Sequence, residues 1–300
     1  MRGTRQIRHL SAVFLGLMVA QGCGQLAIPP GAAPRAAVEE EPEGCRITGR
    51  IVSTAWQKQG GRIERAIVDA STVPGSKRVE YVYGDAGNFK LHLKPGKYRL
   101  SCSANGSRGA TFDSVDRDIT IQNAQDRLDL GDIDLPISKT TALYGKPAPE
   151  LTGIIAWQDT PPVVLESLRG KVVVLDFFAY TCSICHEHKP DLVKLREKYK
   201  DQGLVVLAIH DASLKTLEEL NAKMDPLLAN VFRGSVPELP MALDGAGEKN
   251  VCDAYGIYAV PAVILIDKRG QVVRRYHHAG VPELESDVRT LLSARSNPVR

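Results

Sequence analysis

Two cysteines held two residues apart, Cys182-Ser183-Ile184-Cys185, are the residues of this 300-residue chain best suited to chemistry. Thiols at that spacing can stand one helical turn apart and form or break a bond with each other. His186 follows at once and His188 two positions later, so the same stretch admits two further readings. Cys-x-x-Cys-His is also the attachment signature of c-type haem, with His186 as the axial ligand of an electron-transfer protein. Cys182, Cys185, His186 and His188 could also make a zinc set. A structural zinc site draws on two separated ligand pairs, however, and no second Cys-x-x-Cys or His-x-x-x-His occurs. The rings of His277-His278, at an apparent strand end, should point to opposite faces.

The elements around the pair favour exchange between thiols. Lys171 to Phe178 is a nearly continuous apolar run, as a parallel strand buried on both faces requires. It leads directly into the cysteines. A helical pattern follows, with Leu192, Leu195 and Tyr199 on one face. This arrangement sets Cys182 at a helix N-terminus, where free N–H groups and the helix dipole favour an anion. A thiolate is the attacking species in exchange, and Cys185, one turn on, is placed to resolve the mixed disulfide. Further strands at Leu204–Ile209, Ala262–Ile266 and Gln271–Tyr276 alternate with helices at Ser213–Met224 (Ser213 as N-cap), Lys249–Tyr255 and Glu283–Ala294, an α/β pattern.

The segment Leu175-Asp176-Phe177-Phe178-Ala179-Tyr180-Thr181-Cys182-Ser183-Ile184-Cys185 resembles the active-site segment of thioredoxins, and the resemblance extends over about residues 145–294. It implies that Asp176, six residues before Cys182, is a buried proton carrier for the resolving cysteine. Pro190 matches the family's helix-kinking proline. Val260-Pro261 matches its cis-proline, whose preceding residue offers backbone hydrogen bonds to substrate. The Gly145-Lys146-Pro147-Ala148-Pro149 opening and the extra segment 213–243 resemble the TlpA/ResA group of envelope thiol–disulfide oxidoreductases. Thr181 replaces that family's usual tryptophan, and Ser183-Ile184 its usual Gly-Pro or Pro-Pro. No metal or organic cofactor is implied, and a non-catalytic scaffold that keeps the fold is the other alternative beside the haem protein. Asp176 read without the resemblance is a hydrogen-bonded strand-edge residue, and exposed helix positions account for His186 and His188, although His186 can also tune Cys182. Cys252 reads as an inert thiol, Tyr180 as lining the site or packing, and His210 receives no role.

From Cys45 to Leu135 the apolar period is two, with turn clusters at Gly84–Asn88 and Pro95-Gly96, the signature of an all-β sandwich. Asp85-Ala86-Gly87-Asn88-Phe89 followed by Pro95-Gly96-Lys97-Tyr98 resembles the carboxypeptidase-regulatory or transthyretin-like module, which implies a spacer or binding platform. Cys45 and Cys102 both fall on core-facing positions, so they either bridge or remain as two separate buried thiols. The expected organisation is therefore two domains, an N-terminal all-β sandwich (44–137) and a C-terminal α/β thioredoxin-like domain (138–300).

Residues 1–22 form an address. Arg2, Arg5, Arg8 and His9 precede an apolar stretch from Leu10 to Ala20, about 16 Å long as a helix. A membrane span needs about 30 Å. This is the anatomy of a signal peptide. It ends in Ala20-Gln21-Gly22-Cys23, which resembles a bacterial lipobox and implies lipidation at Cys23. Residues 23–43, with four prolines and Glu39-Glu40-Glu41, read as an extended tether. The expected location is the bacterial envelope, as a membrane-anchored lipoprotein facing the periplasm. Its expected partners are disulfide-containing or dithiol envelope proteins and an upstream membrane electron donor or acceptor. The net charge of +3 resides in the three N-terminal arginines, so the remainder carries no basic surplus for nucleic acid.

Overall fold

The computed structural model describes residues 43–232, 239–247, 249–276 and 281–294, with the side chains of 225–232 and of residue 281 left aside. The N-terminal address, Cys23, the tether up to residue 42 and His277-His278 lie outside the described residues. The described residues form one compact unit.

Its first part contains seven strands, β1 (Cys45–Val52), β2 (Ile63–Thr72), β3 (Arg78–Asp85), β4 (Asn88–Leu93), β5 (Gly96–Gly106), β6 (Val115–Ile121) and β7 (Arg127–Asp134), with a single-turn helix α1 (Thr54–Gln57) after β1. They make two sheets, in the orders β4-β1-β7 and β3-β2-β5-β6. The period-two pattern explains the pairing. Phe89, Leu91 and Leu93 of β4 join Ile47 and Ile51 of β1 and Leu100, Cys102 and Ala104 of β5 in one core. The β3–β4 turn has positive φ at both Ala86 and Gly87, the conformation a two-residue hairpin favours. A Cβ on Gly87 would stand 2.2 Å from the carbonyl oxygen of Ile51, so only glycine fits.

After α2 (Lys139–Ala142) come β8 (Ile154–Gln158), β9 (Val172–Phe178), α3 (Ser183–Tyr199), β10 (Leu204–His210), α4 (Leu217–Phe232), β11 (Met241–Asp244), α5 (Val251–Tyr255), β12 (Ala262–Ile266), β13 (Val272–Tyr276) and α6 (Val281–Ser293). The six strands form one sheet in the order β13-β12-β9-β10-β11-β8. All seven residues of β9 are buried, as its apolar run demanded. Val172, Val174 and Phe178 face a core shared with α3 and α6. Val173, Leu175 and Phe177 face a second core with Val251, Tyr255 and Leu165. β10 runs parallel to β9, whereas β12 runs antiparallel with Ala262 opposite Phe177. Pro261 therefore falls level with Phe178, at the end of the sheet from which the cysteine loop leaves.

Two helix starts differ from the sequence expectation. Helix α4 begins at Leu217, because the Thr216 hydroxyl accepts the Glu219 N–H and so acts as the cap, while Ser213 donates to Asp211. Helix α5 begins at Val251 behind Asn250, whose side chain accepts the Asp253 N–H.

The first two sheets and the six-stranded sheet meet around Tyr144. Its hydroxyl donates to the Gly109 carbonyl and accepts the Arg275 N–H. Its ring stands edge-on to the fully buried Trp56 at 5.9 Å. Gly109 has φ +66°, and a Cβ there would lie 2.1 Å from the Arg275 carbonyl oxygen. Gly109→Ala should therefore destabilise the protein by about 2 kcal/mol or more, read as a lowered thermal midpoint. Substitution at Gly131, where a Cβ meets nothing within 4 Å, should cost less.

Candidate active site

Helix α3 starts because Cys182, in extended backbone, acts as its N-cap. Its Sγ accepts the Cys185 N–H at 3.1 Å, and its carbonyl accepts the N–H groups of Cys185 and His186. Cys182 and Cys185 are joined by a disulfide, with Cα atoms 5.2 Å apart. The two sulfurs differ in access: Cys182 is half-buried, whereas Cys185 is 1% exposed. When the bond is open, the Cys185 N–H and the end of the α3 dipole face a Cys182 thiolate, which favours the anion.

Asp176 is completely buried in the middle of β9 between β10 and β12, so it is no strand-edge residue. The Val260–Pro261 peptide bond is cis, and Val260 packs against both cores of the six-stranded sheet. Ala259, just before it, receives a hydrogen bond from the Arg275 guanidinium at 3.3 Å. Pro190 lies inside α3.

The histidines overturn their expectation. His186 and His188 are each only 5% exposed. His186 Nε2 donates to the Tyr180 carbonyl at 2.9 Å, and His188 Nε2 lies 3.2 Å from Asp176 Oδ1. His210, given no role above, is fully buried and grips the same loop. Its Nε2 accepts the Tyr180 N–H at 3.0 Å, and its Nδ1 donates to the Asp211 carbonyl at 2.8 Å. The backbone of Tyr180, two residues before Cys182, is thus held from both sides, and its ring stacks on His210. Lys189 Nζ stands 3.8 Å above the Phe178 ring. A signal for the buried histidine existed: Cys185, His188, Leu192, Leu195 and Tyr199 recur at three- and four-residue steps along one helical stripe. These contacts also bear on the metal and haem readings. The Nε2 atoms of His186 and His188 are engaged by Tyr180 and Asp176, while their Nδ1 atoms are buried with no hydrogen-bond partner among the described residues.

The remaining cysteines are placed for packing. Cys45 and Cys102 do not bridge: they stand on β1 and β5, strands of different sheets, as two buried free thiols. Burial pushes the Cys102 thiol up to about 11 and raises Cys45 as well, which keeps both protonated and unreactive. Cys252 is half-buried, and burial followed by the neighbouring Asp244 carboxylate raises its thiol strongly.

Burial also lowers the His210 pKa below its ordinary value of 6.5. Both of its nitrogens are committed to a neutral tautomer, and a proton on Nε2 would confront the Tyr180 N–H. The unfolded chain binds that proton at higher pH than the folded one. The stability His210 contributes is therefore complete above about pH 6.5 and is lost as pH falls below it, at up to about 1.4 kcal/mol per pH unit. Thermal midpoints from pH 8 to 5 should show this extra acid slope in the wild type, and His210→Gln should flatten it.

Residues 144–275 match the sequence profile of the AhpC/TSA family. Protein DipZ of Mycobacterium tuberculosis is 37% identical over 133 residues, covering 42% of this chain and 17% of that protein. The thiol-disulfide oxidoreductase ResA of Halalkalibacterium halodurans is 32% identical over 122 residues, covering 40% of this chain and 61% of that protein. ResA of Bacillus thuringiensis (strain Al Hakam) is 30% identical over 131 residues, covering 44% of this chain and 68% of its own length. The chain thus spans about a sixth of DipZ and about two thirds of the ResA proteins. With a dithiol pair at the head of a helix that follows a buried central strand, the C-terminal part of this chain is thioredoxin-like and belongs to the ResA family of thiol-disulfide oxidoreductases.

Proposed function

We propose that this protein exchanges disulfides with protein partners in the bacterial envelope through the Cys182–Cys185 couple. The observation that carries the reading is the unequal exposure of two bonded sulfurs at the head of α3. In the reducing direction, the Cys182 thiolate attacks a partner disulfide. A bond forms between Cys182 and one partner sulfur, and the other partner sulfur leaves as a thiolate. Cys185 then loses its proton to Asp176 and attacks the Cys182 sulfur. The internal disulfide forms, the mixed disulfide breaks, and two electrons have passed to the partner. An upstream membrane donor restores the dithiol; in the oxidising direction an acceptor takes its place. Val260, next to Pro261, presents backbone groups that align the partner chain beside Cys182.

The rest of the chain serves this exchange by placing it. Cys23 carries a lipid, residues 23–43 form a tether, and residues 44–137 form a β-sandwich domain that spaces the thioredoxin-like domain (138–300) from the membrane surface. The lipobox-like Ala20-Gln21-Gly22-Cys23 and the proline-rich stretch support that placement. The shared core of the first two sheets supports the domain division.

Dithiothreitol-driven reduction of insulin tests the reading. Cys182→Ser should abolish turnover, and Cys185→Ser should accumulate a mixed disulfide visible by mass spectrometry. Asp176→Asn should slow turnover by about 100-fold with little change in the unfolding midpoint. Undiminished turnover in Cys182→Ser would end the proposal.

A further inference from the structure

The Asp176–His188 contact is buried, polar and unexplained by packing. Period-two alternation on β9 sets Asp176 on the face of Val174 and Phe178, whose core also holds Cys185. Cys185 and His188, three residues apart on α3, share one helix face. The 3.2 Å contact between His188 Nε2 and Asp176 Oδ1 therefore places the carboxyl group under the stripe that carries the resolving sulfur. Asp176 is 0% exposed and His188 5%. The second carboxyl oxygen, Asp176 Oδ2, and the second ring nitrogen, His188 Nδ1, are both buried without a hydrogen-bond partner among the described residues. A buried polar atom left in this way is destabilising and calls for an explanation, a role in catalysis being one.

We propose that His188 is a positioning residue for the resolving half of the exchange: as a neutral imidazole it donates Nε2–H to Asp176 Oδ1 and so holds Oδ2 toward the Cys185 thiol. This inference rests on the exchange reading above. The Cys185 S–H proton passes to Oδ2. The sulfur electron pair of Cys185 forms the bond to Cys182 Sγ. The bond between Cys182 and the partner sulfur breaks, and its electron pair leaves on that sulfur, which takes a proton from water. His188 touches neither sulfur in this scheme. It fixes the rotamer of Asp176 and satisfies one oxygen, leaving the other free to accept. Attack by Cys182 on a new partner does not involve the pair, so the two halves of the cycle should separate experimentally.

The fully reduced full-length chain is mixed with 5,5′-dithiobis(2-nitrobenzoate). Attack by Cys182 releases one chromophore in a phase whose rate depends on reagent concentration, and resolution by Cys185 releases a second in a concentration-independent phase. His188→Leu should slow the second phase by about tenfold and leave the first within about twofold. His188→Gln, whose amide can donate in place of Nε2, should recover most of the lost rate. In an Asp176→Asn background, His188→Leu should add little further slowing, since both act through one group. Nitrogen NMR of the reduced wild type should find His188 as the Nε2–H tautomer, a readout that holds even if the leucine variant fails to fold. Equal slowing of both phases, no slowing of the second, no recovery with glutamine, additive losses, or an Nδ1–H tautomer would each overturn the assignment. A wild type with no second phase would remove the exchange reading itself, and a normal wild type with an indifferent His188→Leu would remove only this inference.

Discussion

The site depends on one hydrogen bond, from the backbone N–H of Cys185 to the sulfur of Cys182. It makes Cys182 the cap of α3 and aims a backbone donor at its sulfur. Everything else in the C-terminal part serves to hold that bond in place. The buried strand β9 delivers the loop to the sheet end, and the α3 stripe of Leu192, Leu195 and Tyr199 anchors the helix against the same core. Pro261 is brought alongside by pairing of β12 to β9.

The loop between β9 and α3 is held by polar grips rather than by apolar packing alone. His186 and His210 take the carbonyl and the N–H of Tyr180, and Asp211 completes the chain of contacts. A buried polar network of this kind costs stability wherever a member is unsatisfied, and fixes one conformation where all are paired. Here both backbone groups of Tyr180 are paired, two residues before Cys182, while His186 Nδ1 has no partner among the described residues.

How much of this was legible in the sequence follows from which forces leave a pattern. The apolar run at Lys171–Phe178 supplied the buried strand β9, and the two cysteines spaced after it stand bonded at the head of α3. Asp176 was singled out only by its spacing from Cys182, because a carboxyl inside an apolar run carries no local mark of its partner. His186, His188 and His210 were missed for a related reason. Polar residues on a helix ordinarily face water, and no one-dimensional pattern gives a ring its acceptor. The stripe from Cys185 through Tyr199 did contain His188, and following it backwards past Leu192 would have buried that ring. Cap identity was equally silent, since Ser213 and Thr216 are chemically alike and only the direction of the chain after β10 chose between them. Cys45 and Cys102 show the complementary limit: alternation placed both thiols inside, but a shared core does not bring two particular sulfurs within bonding reach.

The 1% exposure of Cys185 has a protective consequence. Peroxide and other small oxidants convert accessible thiolates to sulfenic acids and, irreversibly, to higher acids. A sulfur sealed beneath its neighbour is spared that damage. Should Cys182 be oxidised to the sulfenic state, the sealed thiol lies in wait to condense with it and expel water, returning the couple to its disulfide. A buried thiol one helical turn from the more accessible Cys182 would thus give that sulfur a route back from the first step of oxidation.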